Sequence, residues 1–549
     1  MSKIFSSRGL WFALVLLLGT YLRFSAITWG IPTREFPHEP YHPDETWALH
    51  VLGYTNIPEG IFNPKEAHRE GTLSYFVWLA VGYVAEKAGY LTRLPPFQLA
   101  GPSLAGDPAT FLVLGRSVVA ISDLLSSILV FLCVFTATRH FWASLLGMLV
   151  LLITPFEMVY AHFLRTHVMS NFMATATLAF TFYLVKSYRP TLSFLAAFCS
   201  GLGFATRYPT AVVGIAPLLA CLNHELHKAF VIRKPLRSLV KVVTAPQLLV
   251  LPIGLALGAF IGVPFLFLDY PSAAPHLAQQ ATYMNASQFD ASQLLDFSRV
   301  YAYLGYLIPY GMRPWLWTLS YASVVFLLFR PHLYRYTVPL FAFGFAYLYF
   351  MSKGFYATAT FIRAAIGLFP VFAIAIGLAA SSCSAFLLKR RWLRVPALGV
   401  TAAILVSTVV YDLAYLHAMK NDPRDQLLRY LADHYKGRSI TIGLLPMRWN
   451  FFTTIPPLQG IIDPKVELLT HPVAQAVEGE LHVATRFDSE DDETFSAGIA
   501  RLEREHGYRK VAVFESPVSW MGITFDSSKN PHDLNYPIPS YVLLEKVAR

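Results

Sequence analysis

His42-Pro43-Asp44-Glu45 sets two carboxylates side by side in a chain otherwise poor in charge. One of them, placed against a hydroxyl, can act as a general base, and its neighbour can position the acceptor or keep the base oriented. Pro43 fixes the local backbone. Asp44 and Glu45 could equally open a helix, whose N-terminus favours anions, so capping and catalysis are compatible. Glu66, His68, Arg69 and Glu70 follow before the apolar pattern returns. Imidazoles surround the pair at His38, His42 and His50, and two more stand at His162 and His167. Together with carboxylates they could hold a divalent cation, although their spacing matches no compact ligand motif. His42, His162 and His167 are therefore open as metal ligands, substrate contacts or simple neighbours.

Cations form the second chemical set: Arg23, Arg116, Arg165, Arg207, Lys353 and Arg363, all inside or at the edge of apolar runs. Arg23 and Arg116 can snorkel from the ends of spans. Arg207 sits between two apolar runs (ATRYP), and Lys353 and Arg363 bracket another turn. A phosphate at a membrane surface would explain such cations, because guanidinium groups grip its oxygens in bidentate fashion. Structural pairing is the alternative. Asp123 lies within a span and is expected to pair with Arg116 or a polar neighbour.

The elements that carry these groups are apolar helices. Of 549 residues, 55% are hydrophobic, 15% aromatic and only 14% charged, against about 25% charged in soluble domains. Crossing the hydrocarbon takes about 20 residues. Spans are expected near 9–29, 112–136, 141–160, 168–185, 190–206, 208–223, 243–268, 312–329, 336–352, 361–382 and 395–415. Lys3 and Arg8 precede an apolar stretch that runs on through Trp29 with no small-residue cleavage site, so it reads as a retained first helix.

With the N-terminus inside, the connections carrying Arg139, Lys186 and Arg189, Lys228 to Lys241, Arg330 and Arg335, and Lys389 to Arg394 are cytoplasmic, as positive-inside orientation requires. The first large loop (30–111) and everything past about 416 then lie outside. Residues 74–90 would reverse this order if they spanned, so they are expected to form an amphipathic or re-entrant helix on the outer side. The net charge of +10 resides in these short clusters and not on a basic, aromatic-interleaved face, which argues against nucleic-acid binding. The four cysteines all fall in apolar runs without metal-binding spacing.

From about 420 the composition changes. Ser439–Leu444, Lys510–Phe514 and Tyr541–Leu544 read as strands and Glu493–His506 as a helix, with 488–493 as a solvated acidic loop. The expected fold class is an α-helical polytopic membrane protein of about 11 spans (residues 1–415), with a small C-terminal α/β extracytoplasmic domain (416–549). The sequon Asn285-Ala286-Ser287 is outside in this topology.

The order of short motifs is more specific than any one of them. An Arg near the end of the first helix precedes HPDE, then Asn63-Pro64, GTLSY at Gly71–Tyr75, Gly115-Arg116 and AHFLRTH ending at His167. GLGFATRYP (Gly201–Pro209), VPFLFLDYP (Val263–Pro271), FIRAAIGLFP (Phe361–Pro370) and DPRDQLLRYL from Asp422 follow. This order resembles the bacterial lipid-carrier-dependent glycosyltransferases of the GT-C class, related to protein O-mannosyltransferases and the aminoarabinose transferase.

The resemblance implies inverting transfer of a sugar from a polyprenyl-phosphate donor to an acceptor protein, lipid or glycan at the outer face of a bacterial plasma membrane. It maps the base onto Asp44, with Glu45 adjacent, and the donor phosphate onto Arg207 and Arg363, with Lys353 and Arg165 as further candidates. No nucleotide loop and no cofactor is required, and a divalent cation is the lesser possibility. One position departs from the pattern: His167 stands where relatives often carry an Asp after the Arg of the second outer loop. Glu157 or His162 are the nearby replacements. A secondary transporter or lipid flippase is the rival reading. Transporters, however, show repeated halves and mid-membrane ionisable groups, whereas polar groups here concentrate at one face.

Overall fold

The computed structural model describes residues 2–34, 40–97, 106–232, 244–283, 296–354, 361–435, 442–444, 469–470, 480–485, 492–527 and 530–547. His38, the sequon at Asn285 and most of the basic cluster ending at Lys241 lie outside them. The chain divides into two compact units. One comprises Met1–Ser25, Tyr54–Val81 and Arg116–Asp412; the other comprises Ala26–Gly53, Gly82–Gly115 and Leu413–Arg549.

The first unit is helical because its apolar runs leave backbone groups no partner except each other. Among the described residues, Asp107–Thr138, Thr166–Ser187, Ile362–Ser384 and Trp392–Tyr435 are long and apolar enough to cross a bilayer. Four shorter apolar helices join them: Phe141–Leu152, Pro190–Thr206, Pro246–Gly262 and Pro314–Leu328. Many large apolar side chains face outward, among them Leu10, Leu14 and Leu17 of the first helix (α1, Ser2–Phe24) and Trp392, Val395 and Val406 further on. That inside-out distribution suits lipid as solvent, and the chain is a polytopic membrane protein.

Proline breaks several of the expected spans. The run at 141–160 divides into Phe141–Leu152 and the short Pro155–Tyr160, with Pro155 opening the second piece. The run at 208–223 begins as a 3-10 turn, Tyr208–Gly214, containing Pro209. The run at 361–382 also begins as a 3-10 turn, Ile362–Leu368, before the helix Phe369–Lys389. Proline removes a backbone donor and disfavours helix in the residue before it. Close packing occurs where Pro190–Thr206 meets Pro246–Gly262: a Cβ on Gly258 would run into the Phe198 carbonyl oxygen, the small-residue contact typical of membrane helices. The segment 74–90 forms the helix Leu73–Lys87 of 15 residues. At 1.5 Å per residue it is about 22 Å long, short of the roughly 30 Å of hydrocarbon.

In the second unit the described residues form a five-stranded sheet in the order β2-β1-β3-β5-β4, with β1 Ile442–Leu444, β2 Leu469–Thr470, β3 Leu481–Thr485, β4 Tyr508–Phe514 and β5 Tyr541–Lys546. β1 pairs in parallel with β2 and β3, whereas β5 pairs antiparallel with β3 and β4. The period-2 alternation of a strand sends Tyr541 and Leu543 to one face and Val542 and Leu544 to the other. The first face packs on Leu427, Leu428 and Leu431 of the helix Pro423–Tyr435. The second packs on Leu502 of the helix Asp492–His506. That helix begins at Asp492, one residue ahead of the expected Glu493, and residues 488–491 of the expected acidic loop lie outside the described residues.

Candidate active site

His42 stands at the N-cap position of the helix Pro43–Leu52 (α2) without a side-chain capping bond, and Pro43 takes its first position, where a missing N–H costs nothing. Asp44 and Glu45 fill the first turn. Asp44 is partly buried and Glu45 fully buried. His42 is buried with its ring stacked on Tyr536, centroids 4.9 Å apart and planes at 27°.

What holds this turn within its unit is the DPRD motif. Arg424 donates from Nε and Nη2 to Asp422 at 2.9 and 2.8 Å, and Nη2 also reaches the carbonyls of Tyr536 and Pro537 at 3.2 and 3.3 Å. Its guanidinium lies over the Tyr41 ring at 4.3 Å and the Trp29 ring at 5.1 Å. The Trp29 indole donates to Asp422 at 2.7 Å, and the Tyr41 hydroxyl donates to Asp425. Tyr41, the residue just before the HPDE tetrad, is thus held by the guanidinium of a buried ion pair, the Trp29 ring and Asp425.

The candidate cations sit in the first unit. Arg207 ends the helix Pro190–Thr206 and is buried, its N–H bonded to the Gly203 carbonyl at 2.9 Å. The next residue docks onto the segment just before Gly71: the Tyr208 N–H reaches the Glu70 carbonyl at 3.3 Å and its hydroxyl the His68 carbonyl at 2.8 Å. Gly71, at φ +133°, lies against the Ala205 and Thr206 backbone, where any Cβ would clash. Arg363 is partly buried with its guanidinium 4.3 Å over Phe361. Lys353, in the last turn of Tyr334–Gly354, donates to the Asp296 carbonyl and lies over Phe297 and Tyr349 at 5.7 and 5.4 Å.

Arg165 is paired structurally. Its Nη2 donates to Glu70 Oε1 at 2.9 Å, while Thr166 donates to the other carboxylate oxygen at 3.2 Å. Glu70 thereby sits at the N-terminus of Thr166–Ser187, a favourable place for an anion. His162 is fully buried and its Nδ1–H donates to the Met158 carbonyl at 2.8 Å. His167 is buried with its ring edge-on to Tyr160, centroids 5.7 Å apart.

Asp123 pairs with Arg23 and not with Arg116: Nη2–Oδ2 is 2.6 Å, with both side chains fully buried. Arg23 also donates to the Leu152 and Leu151 carbonyls. It does not snorkel, because the helix break before Pro155 leaves carbonyls that the guanidinium can take.

A further network ties two quoted motifs. Asn63 Nδ2 donates to Asp269 Oδ2 and Ser272 Oγ, each at 2.9 Å, which turns Asn63 Oδ1 toward His68 Nε2 at 3.1 Å. His68 therefore carries its proton on Nε2. Burial first, and then neighbouring His276, push the His68 imidazole down to about 4 against the opposing pull of Asp269. Hydrogen bonds from Ser272 and Asn63 hold the Asp269 carboxyl below its usual range. Asn63 and Asp269 belong to the NP and DYP motifs, and the sequence alone gives neither a role.

The sign of the resulting pH effect follows from linkage. As pH falls from 6.5 towards about 4, the unfolded chain protonates this imidazole before the folded one does, so stability is lost across that window. Thermal unfolding at stepped pH is expected to show this acid slope in wild type and a flatter one in His68→Gln.

Among the described residues, no three His, Cys, Asp or Glu side chains gather as a metal ion would need.

No protein-family model matches the chain, and no curated protein matches it. Among solved structures it is similar to the Archaeoglobus fulgidus oligosaccharyltransferase in complex with Zn and sulfate, at 12% identity and a TM-score of 0.45, over 94% of this chain and 73% of that one. It is similar to AglB from Archaeoglobus fulgidus with an inhibitory peptide and a dolichol-phosphate, at 12% identity and 0.44, over 94% and 74%. It is also similar to ArnT from Cupriavidus metallidurans bound to undecaprenyl phosphate, at 13% identity and 0.41, over 98% of each chain.

Proposed function

We propose that this chain is a membrane glycosyltransferase that moves a sugar from a polyprenyl-phosphate donor to an acceptor hydroxyl on the extracytoplasmic side, with inversion. The observation that carries the reading is the first turn of α2, where partly buried Asp44 stands beside fully buried Glu45. The motif order supports it. Asp44 takes the acceptor proton as the acceptor oxygen attacks the anomeric carbon. The bond from that carbon to the phosphate oxygen breaks on the opposite side, and the lipid phosphate leaves with the electron pair. Glu45 keeps the base oriented. Arg207 and Arg363, with Lys353, take the charge that develops on the phosphate. Arg165 serves indirectly, since its charge is shared with Glu70. The acceptor is a protein, lipid or glycan hydroxyl.

The purified chain, incubated with labelled polyprenyl-phosphate sugars and candidate acceptors, is expected to release the lipid phosphate. Arg207→Ala and Arg363→Ala are each expected to lower kcat/KM by about 10-fold or more, the scale of a lost charge-assisted phosphate contact of about 1.5–3 kcal/mol. No turnover with any such donor, together with substrate flux in vesicles, would replace this reading with the transporter.

A further inference from the structure

We infer that Glu157 holds a proton and pairs with Asn171 as a neutral carboxylic acid, forming a proton-binding site at the base of the turn that carries His162 and Arg165. Glu157 is fully buried in the first turn of Pro155–Tyr160, and Asn171 is buried in Thr166–Ser187. Asn171 Nδ2 donates to Glu157 Oε1 at 2.5 Å. The two atoms left over, Glu157 Oε2 and Asn171 Oδ1, are both buried with no hydrogen-bond partner among the described residues.

With Glu157 ionised, both leftovers are acceptors and cannot satisfy each other. A single proton on Oε2 makes it a donor for the amide oxygen, and acid and amide then close two hydrogen bonds. Among the described residues, no cation hydrogen-bonds the Glu157 carboxyl. Asp123 and Arg23 act on Glu157 electrostatically, but Arg23 is already committed to Asp123 and to the Leu151 and Leu152 carbonyls. Tyr347 feels both Glu157 and Arg207. Arg363, in the turn packed on the same short helix, lies over Phe361. A buried carboxylate without a cation partner is strongly disfavoured. The closed pair latches the two helices on either side of residues 161–165, and the inference does not depend on the transfer reading.

Infrared spectra of the full chain in detergent near neutral pH test it. The protonated-carboxyl C=O band is expected in wild type, lost in Glu157→Gln, and shifted in Asn171→Leu, which keeps the acid and removes its partner. Glu157→Gln can close the same two bonds through its own amide and is expected to melt at the wild-type temperature. Loss of a carboxylate band in place of the acid band would overturn the inference. So would an acid band that Asn171→Leu leaves unmoved, should Glu157→Gln not fold.

Discussion

Asp44→Asn is expected to slow sugar transfer by about 10²–10⁴-fold, the range a positioned general base contributes, or roughly 3–5 kcal/mol in the barrier. The amide keeps the size of the side chain and its place in the first turn of α2, so the fold is expected to melt unchanged. What it cannot do is accept the acceptor's proton. The loss is therefore expected in kcat, with the donor KM little altered, because the removed interaction belongs to the transition state. Glu45→Gln distinguishes the two carboxylates: a supporting role predicts a smaller loss than Asp44→Asn. Equal turnover by Asp44→Asn and wild type would remove Asp44 as the base. A loss of kcat with a lowered melting temperature would point to capping of α2 instead.

The strands of the second unit were readable where short apolar runs rich in valine and aromatic residues stand between polar stretches, as in Lys510–Phe514 and Tyr541–Leu544, and each observed strand extends two residues beyond that run. β3 (Leu481–Thr485) escaped notice because His482 lies buried in it, and a polar residue inside a short run hides the period. The ion pairs were harder for a different reason. Arg165 and Glu70 are both visible as candidates, but they lie 95 residues apart, and only packing selects the partner. Arg23 and Asp123 are separated by 100 residues in the same way. The type of residue was legible in each case and the pairing was not. DPRD shows the same limit from the other side. It stood out as part of a motif order, and its physical work, holding Trp29 and Tyr41, becomes visible only when segments almost 400 residues apart are brought together.

That clamp carries the second large expectation. Asp422→Ala is expected to cost about 3–5 kcal/mol, the penalty for stripping a buried charge of its partner. Asp422 and Arg424 have side chains only 1% and 2% exposed, so water cannot replace the missing carboxylate. The Tyr536 and Pro537 carbonyls stay with the guanidinium but bring no charge, and the Trp29 indole loses its acceptor as well. Removing both charges with Asp422→Ala and Arg424→Met is expected to be milder than Asp422→Ala alone, since no lone cation then remains. The double-mutant cycle is therefore expected to give a coupling of about 0.5–3 kcal/mol, read from thermal unfolding of the full chain. Because the fastened segment leads directly into His42 and α2, the single variant is also expected to lose turnover below its melting point, whereas the double variant recovers part of it. A single variant that melts like wild type would show that the rings and carbonyls around Arg424 hold the segment without the ion pair.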